Sequence, residues 1–306
     1  MNLHHSLDAA SRAAEIRELA LGFFDGVHLG HQEVLRGPRS PQELQHSALL
    51  SFQQHPQSIL SPAKKIILIT GQPHKLRLLK ALGLHHVILL PFNLEVSRQS
   101  ALDFLESLRA AFPKLRSIRV GQNFHFGHQR QGNPDFLQSW AQKFGITAQV
   151  IPSLKSQDQI ISSSLIRRQL EMGDCSAAAS LLGRPYSLWG TVMPGQHLGS
   201  QLGFPTANLQ TEDGILLPLG VYAGQALLPS GRSYAAAINI GLRPTLGPNN
   251  TTLPSVEAHL LDFSENLYDS EIELIPQRFL RPEQRFENLD ALKAQIQLDV
   301  KLTREA

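Results

Sequence analysis

A single cysteine, Cys175, in 306 residues excludes an internal disulfide and any zinc cluster built from several thiolates. An excess of one charge is also missing: 28 Lys and Arg stand against 26 Asp and Glu, for a net charge of +2. That balance leaves no electrostatic footprint for a long nucleic acid, although a few placed cations suffice for a small phosphorylated ligand. Arg116–Arg119 and Arg278–Arg285 are local charges, and neither forms a basic stripe with stacked aromatics. No apolar run approaches the length of a membrane span, and Met1–Ala14 lacks the apolar core of a signal peptide. The expectation is a cytoplasmic protein with no nucleic-acid and no membrane partner; its oligomeric state is left open. Internal repeats and low-complexity tracts are absent as well.

What is present is a folding chain of about two domains' length, 42% hydrophobic and 18% charged. Up to about Leu182, short apolar runs alternate with helical patterns. Leu19–Phe24 reads as a strand, followed by a turn at Asp25-Gly26 and a helix through Leu35 that Gly37-Pro38 ends. Val87–Leu90 suits a strand buried on both faces, His85-His86 a strand start at the surface, and Pro73–Leu82 a helix stopped by Gly83. Ser100 caps a helix that buries Leu105, Leu108 and Phe112; Ile118–Val120 and Ile146–Ile151 are further strands. Such alternation predicts a Rossmann-like α/β domain over residues 1–183, a parallel sheet whose ligands sit beyond the carboxyl ends of the strands. Phe24–His31 and Gly121–Gly127 both fall on that edge. From 184 to 306, short runs such as Leu188–Val192, Val221–Leu228 and Tyr234–Ile240 are punctuated by Gly and Pro until Leu289–Leu302 turns helical. That texture predicts an antiparallel β-barrel with a C-terminal helix.

Two short segments suggest chemistry in the first domain. If Val27 opens a helix, His28 and His31 share its first face, where unpaired N–H groups favour anions, and Gly26 and Gly30 let a phosphate approach the backbone. Ile161-Ser-Ser-Ser-Leu-Ile-Arg167 sets hydroxyls at a helix start with an arginine one turn on, a second phosphate cradle. Each alone is weak: an H-x-x-H pair is more often packing or surface, a serine run more often a cap, and a metal site would need further ligands that the sequence does not point to.

Together, G-x-F-D-G-x-H-x-G-H and I-S-S-S-x-x-R resemble the paired signatures of the HxGH nucleotidyltransferase superfamily, and more closely the FMN adenylyltransferase module of prokaryotic bifunctional riboflavin kinase/FAD synthetases. Gly121-Gln-Asn-Phe-His-Phe-Gly127 resembles that family's G-x-[DN]-F-x-F-G loop, and Gly183-Arg-Pro-Tyr186 its junction. Further on, Gly203-Phe-Pro-Thr-Ala-Asn208, Gly220-Val-Tyr-Ala223, Asn239-Ile-Gly-Leu-Arg-Pro-Thr245 and Val256-Glu-Ala-His259 resemble the riboflavin kinase motifs in order and spacing. The resemblance runs from about residue 19 to the C-terminal helix.

It implies phosphorylation of riboflavin to FMN by ATP in the second domain, then adenylylation of FMN to FAD in the first, with magnesium and no tightly bound organic cofactor. Glu257 is the implied base, since an alcohol is a poor nucleophile near neutral pH. Thr206 and Asn208, two apart on an extended segment, are the candidate magnesium ligands. Gly195, Gly199 and Gly203 would let a flap close over phosphates, with Gly203, Pro205 and Arg281 near the ligand. In the first domain, His28, His31 and Arg167 are the implied catalytic residues. Gly22, Phe24, Asp25, Gly26, Gly30, Asn123, Ser162, Ser163 and Ser164 would bind nucleotide and flavin. Departures from the family pattern are Gln54 for a proline, Ser164 for a threonine, Ser200 for an arginine and Asp269 for a glycine. Other readings are a riboflavin kinase with an inactive first domain, an HxGH enzyme with another substrate, and a non-catalytic flavin-binding protein. Cys175 is expected to pack as a small apolar group.

Overall fold

A computed structural model describes residues 1–36, 41–61, 63, 66–195, 199, 202–244 and 252–305. Residues 37–38, 200 and 245, named above, lie outside them. Two compact units emerge: residues 1–66 with 75–162, and residues 67–74 with 163–306.

The first unit is an α/β domain. Its strands β1 (Asn2–His4), β2 (Glu18–Leu21), β3 (Ser47–Phe52), β4 (His86–Leu90), β5 (Ser117–Gly121) and β6 (Thr147–Ile151) form one parallel sheet in the order β1-β4-β3-β2-β5-β6. Side-chain parity explains the burial of both faces. Leu19, Leu21, Ala48, Leu50 and Ile88 face one core with Leu105, Leu108, Phe112 and Trp140. Ala20, Leu49, Val87 and Leu89 face the other with Val34, Leu35 and Leu79. Helices α1 (Leu7–Ala13), α7 (Ala101–Ala111) and α8 (Pro134–Lys143) supply the first layer. Helices α2 (Leu29–Leu35) and α5 (Gln72–Ala81) supply the second, and α3 (Pro41–Leu44), α4 (Pro56–Leu60) and α6 (Leu94–Arg98) are short. Ser100 caps α7 by accepting from the Asp103 N–H, as its position predicts. Strand order runs one way from β2 through β3 and β4 and the other way through β5 and β6. The switch point, where open α/β sheets bind ligands, therefore lies between β2 and β5.

One expectation fails at the edge of this sheet. His86 does open a strand, but it is buried, its ring stacked 5.4 Å from that of His4, with His4 Nε2 and His86 Nδ1 3.1 Å apart. Pairing of β1 with β4 covers a position that the local sequence reads as exposed.

A short hairpin, β7 (Lys155–Ser156) and β8 (Gln159–Ile160), precedes the second unit. There, α9 (Ser163–Glu171) and α10 (Cys175–Leu182) lead into a closed antiparallel barrel. Its strands are β9 (Leu188–Met193), β10 (Ala207–Thr211), β11 (Gly220–Leu227), β12 (Ser233–Pro244), β13 (Thr252–Leu260) and β14 (Glu271–Arg281), in the order β10-β13-β12-β11-β14-β9. Alternate residues Ile238, Ile240, Val256, Ala258 and Leu209 fill the interior. Helix α11 (Leu289–Arg304) packs on β11 and β12.

Candidate active sites

At the carboxyl end of β2 the chain turns through two strained residues. Phe24 (φ 60°) and Val27 (φ 43°) both sit in the left-handed region, at a cost of about 1–3 kcal/mol each. Both side chains are buried in the second core layer, a gain of about the same size that holds the turn in place. A single 3-10 turn, Asp25–Val27, follows. His28 then corrects the sequence reading of a helix from Val27: it is extended (φ −71°, ψ 170°) and caps α2, which starts at Leu29.

That cap sets the chemistry. His28 Nδ1 accepts from the His31 N–H at 3.2 Å, which leaves the ring proton of a neutral His28 on Nε2 as a donor. The two imidazoles stack with centroids 3.5 Å apart and 18° between planes. Gly30 leaves room for this stack, because a Cβ there would lie 3.2 Å from His28 Cε1 and press on the ring. Phe24 meets the His31 ring edge-on at 5.3 Å. His31 Nδ1 is enclosed without a hydrogen-bond partner, and burial, then the His28 and Lys75 charges, hold the His31 pKa well below the usual histidine value. A His31 held uncharged beside the His28 ring can donate to an anion from a helix start without a proton being consumed.

Across the switch point, Asn123 follows β5 on an exposed loop, its Nδ2 3.4 Å from Ser153 Oγ. His125 is exposed on the same loop and accepts from Arg130, while His128 is tied to the Ser97 carbonyl at 3.1 Å.

In the second unit, Ser163 and Ser164 form the first turn of α9, Ser162 precedes it, and Arg167 lies one turn on. Arg167 Nε donates to the Ile67 carbonyl at 2.8 Å. The barrel carries the other candidates. Asn208 on β10 stands opposite Glu257 on β13, and Glu257 stands opposite Asn239 on β12. Their neighbours Leu209, Val256, Ala258, Ile238 and Ile240 point inward, so these three half-buried side chains share one row on the outer face. The glycine-rich segment lies against that row: a Cβ at Gly195 would fall 2.0 Å from Asn208 Nδ2, and one at Gly199 3.4 Å from Thr206 Oγ1. Gly203 (φ 89°) takes the left-handed turn into Pro205-Thr206. His259 Nδ1, 2.8 Å from the Pro205 carbonyl, fixes the same loop.

Arg281 is drawn elsewhere. It meets the buried Asp299 of α11 through Nε at 3.0 Å and Nη2 at 2.7 Å, and its Nη1 donates to the Pro282 carbonyl. Its visible task is to hold the helix on the barrel. Cys175 is buried, and burial followed by the Asp174 charge pushes its thiol up to about 11, so it packs as an inert apolar group.

The donor set around Asn208 suits a hard cation that arrives with phosphates. A hydroxyl, an amide oxygen and one carboxylate are oxygens of the kind magnesium takes while it keeps several waters. Among the described residues no group of three or more His, Cys, Asp or Glu could form a protein-only metal cage.

Three functional-looking features escaped the sequence. Asn239, in the sequence only the first residue of a motif, shares the Glu257 row, a placement that strand register shows. Lys75 is buried beneath the Phe23–Asp25 turn. Asp213 accepts from Gly71 N–H at 2.6 Å, His74 Nδ1 at 2.7 Å and Trp189 N–H at 2.8 Å, a buried hub joining residues far apart in sequence.

Comparison with known proteins agrees with both halves. The FAD synthetase family model matches residues 11–165 and the riboflavin kinase model residues 182–306. The bifunctional riboflavin kinase/FMN adenylyltransferase of Haemophilus influenzae is 34% identical over 99% of this chain and 98% of its own length. That of Escherichia coli K12 is 31% identical over 98% and 95%. A solved structure titled as a macrolide-efflux protein from Streptococcus pneumoniae superposes over 100% of both chains with a TM-score of 0.84 at 24% identity, a likeness of fold alone. Among the described residues no helix is long and apolar enough to cross a membrane. With both models matched and relatives aligned end to end, the chain belongs to the bifunctional riboflavin kinase/FMN adenylyltransferase family.

Proposed function

We propose that this chain makes FAD from riboflavin in two ATP-dependent steps, each with its own residues, and that Mg2+ is the divalent ion. The observation that carries the division of labour is the contrast in available groups: a carboxylate, Glu257, between two amides on the barrel, against two stacked imidazoles at the start of α2, of which burial keeps His31 uncharged.

In the first step the ribityl alcohol attacks the γ-phosphorus of ATP. Glu257 takes the alcohol proton and ADP leaves, giving FMN. Thr206 and Asn208 would hold the Mg2+, which neutralises charge on the phosphates when bound. Gly195 lets the backbone lie close to Asn208 and Gly199 lets it lie close to Thr206, while Gly203 makes the left-handed turn into Pro205-Thr206. In the second step the nucleophile is the FMN phosphate, already an anion, so no base is needed. Its oxygen attacks the α-phosphorus and pyrophosphate leaves. His28 and His31 donate to the phosphate oxygens as charge shifts, over the backbone of Gly22, Phe24, Asp25, Gly26 and Gly30. Ser162, Ser163, Ser164 and Arg167 are assigned to phosphates of this step, and Asn123 to substrate placement. Arg281 is assigned to the barrel helix instead of the ligand. The working modules are taken as residues 1–183 and 184–306, and the setting as the cytoplasm, where ATP is at hand.

The test is chromatographic: purified protein with ATP and Mg2+ receives riboflavin in one tube and FMN in another. FAD from both, with FMN as an intermediate in the first, is the expected result. FMN that accumulates without FAD would reduce the chain to a riboflavin kinase, and no turnover in either tube would overturn both assignments.

A further inference from the structure

One buried charge in the sheet unit has no task in that scheme. Lys75 on α5 is 3% exposed. Its ammonium donates to the Phe23 carbonyl at 3.3 Å and lies 4.3 Å from the centroid of the Phe23 ring. The same carbonyl accepts from the buried Ser51 Oγ at 3.1 Å, and His55 packs edge-on against the same ring at 4.6 Å. The charged and titratable groups acting on Lys75 from the facing elements are Asp25 of the 3-10 turn and His31 of α2. Burying an ammonium costs several kcal/mol, and an apolar side chain of similar length would fill the space without that cost. The charge therefore needs a reason beyond packing.

We infer that Lys75 is a positioning residue for adenylyl transfer, its ammonium pinning the Phe23–Phe24 turn and so setting where the His28 and His31 rings stand. The inference rests on the adenylyltransferase reading of that site. Phe24 directly follows the pinned carbonyl, adopts the left-handed conformation and meets His31 edge-on, so a turn that relaxes moves the His31 contact. The positive charge also disfavours protonation of His31, keeping that imidazole uncharged. Burial lowers the Lys75 pKa to about 8, against the opposing pull of Asp25. The cation is therefore lost just above neutral pH, and FAD formation acquires an alkaline limb that riboflavin phosphorylation does not share.

The experiment uses the full chain with Lys75→Met and Lys75→Arg, following FAD from FMN and FMN from riboflavin across the pH range. Lys75→Met is expected to lower kcat for FAD formation about a hundredfold, with a smaller change in KM for FMN and unchanged riboflavin phosphorylation. Lys75→Arg is expected to restore most of the rate and to move the alkaline limb upward, because a guanidinium stays charged. An unaltered Lys75→Met, or a Lys75→Arg as impaired as Lys75→Met, would overturn the inference. If Lys75→Met loses its circular dichroism signal, the position of the limb in Lys75→Arg decides, and an unmoved limb is a negative. Wild-type protein that makes no FAD from FMN would instead overturn the underlying reading, and this inference with it.

Discussion

The two candidate sites are built by opposite means. In the sheet unit, the groups stand where regular structure ends: Phe24 and Val27 in left-handed backbone, His28 as a cap, His31 held by stacking. On the barrel, Asn208, Glu257 and Asn239 lie in regular antiparallel register, one residue per strand. The first arrangement takes its accuracy from buried anchors that fix a strained turn. The second takes it from hydrogen-bonded ladders. A site at a strand end can bring backbone donors and rings to one phosphate, whereas a row across strands sets side-chain oxygens at a fixed spacing.

The largest expected effect separates the two chemistries. Glu257→Gln should lower riboflavin phosphorylation about a thousandfold while FAD formation from FMN stays at the wild-type rate. The reciprocal change, His31→Ala, should lower FAD formation about a hundredfold and spare the kinase step. Both are read by chromatography of flavins, and loss of both activities in either variant would erase the division of labour. A milder change tests the barrel row itself. Asn239→Ala should cost the kinase step about tenfold, the worth of one hydrogen bond to a charged group; an unchanged rate would mean that the row is register without chemistry.

Stability offers smaller contrasts. Asp213→Ala strands two backbone N–H groups and the buried His74, so the urea transition of the second unit should fall by about 3 kcal/mol. In the sheet unit, burial lowers the pKa values of His4 and His86, aided by His5 for the first and by the His4–His86 pairing for the second. The folded chain therefore binds fewer protons there than the unfolded chain does. Stability is unaffected well above the ordinary histidine value of 6.5 and declines as pH falls below it. Replacing both with Gln should flatten that decline in acid melting curves.

Much of the architecture is legible in the sequence because its signals are local. The parity of Val87–Leu90, the cap at Ser100 and the Gly83 stop each report on a few neighbours. Glu257, Asn208 and the two histidines stand out in the sequence as members of ordered motifs, and the fold brings Asn208 opposite Glu257 and His28 against His31. What stayed hidden depends on partners distant in sequence. His86 reads as exposed until β1 covers it. Lys75 reads as an ordinary helical lysine until the Phe23 turn lies over it. The pairing of Arg281 shows only once Asp299, eighteen residues later, meets its guanidinium. His28 illustrates a different limit: motif spacing places it correctly beside His31, yet its extended backbone, which decides which ring nitrogen carries the proton, follows from the strained turn before it.

Barrel closure has a consequence for how the chain is made. Strand β9 pairs with β10, its immediate successor, and with β14, the last strand of the ring; β10 waits for β13. During synthesis the first hairpin of the barrel thus keeps two unpaired edges until the chain has passed Leu260 on one side and Arg281 on the other. The parallel sheet is complete by Ile151, before any barrel strand exists. A ribosome that pauses between Thr211 and Glu271 therefore carries a finished sheet and sticky, half-built barrel strands, and slow translation of that stretch should favour aggregation.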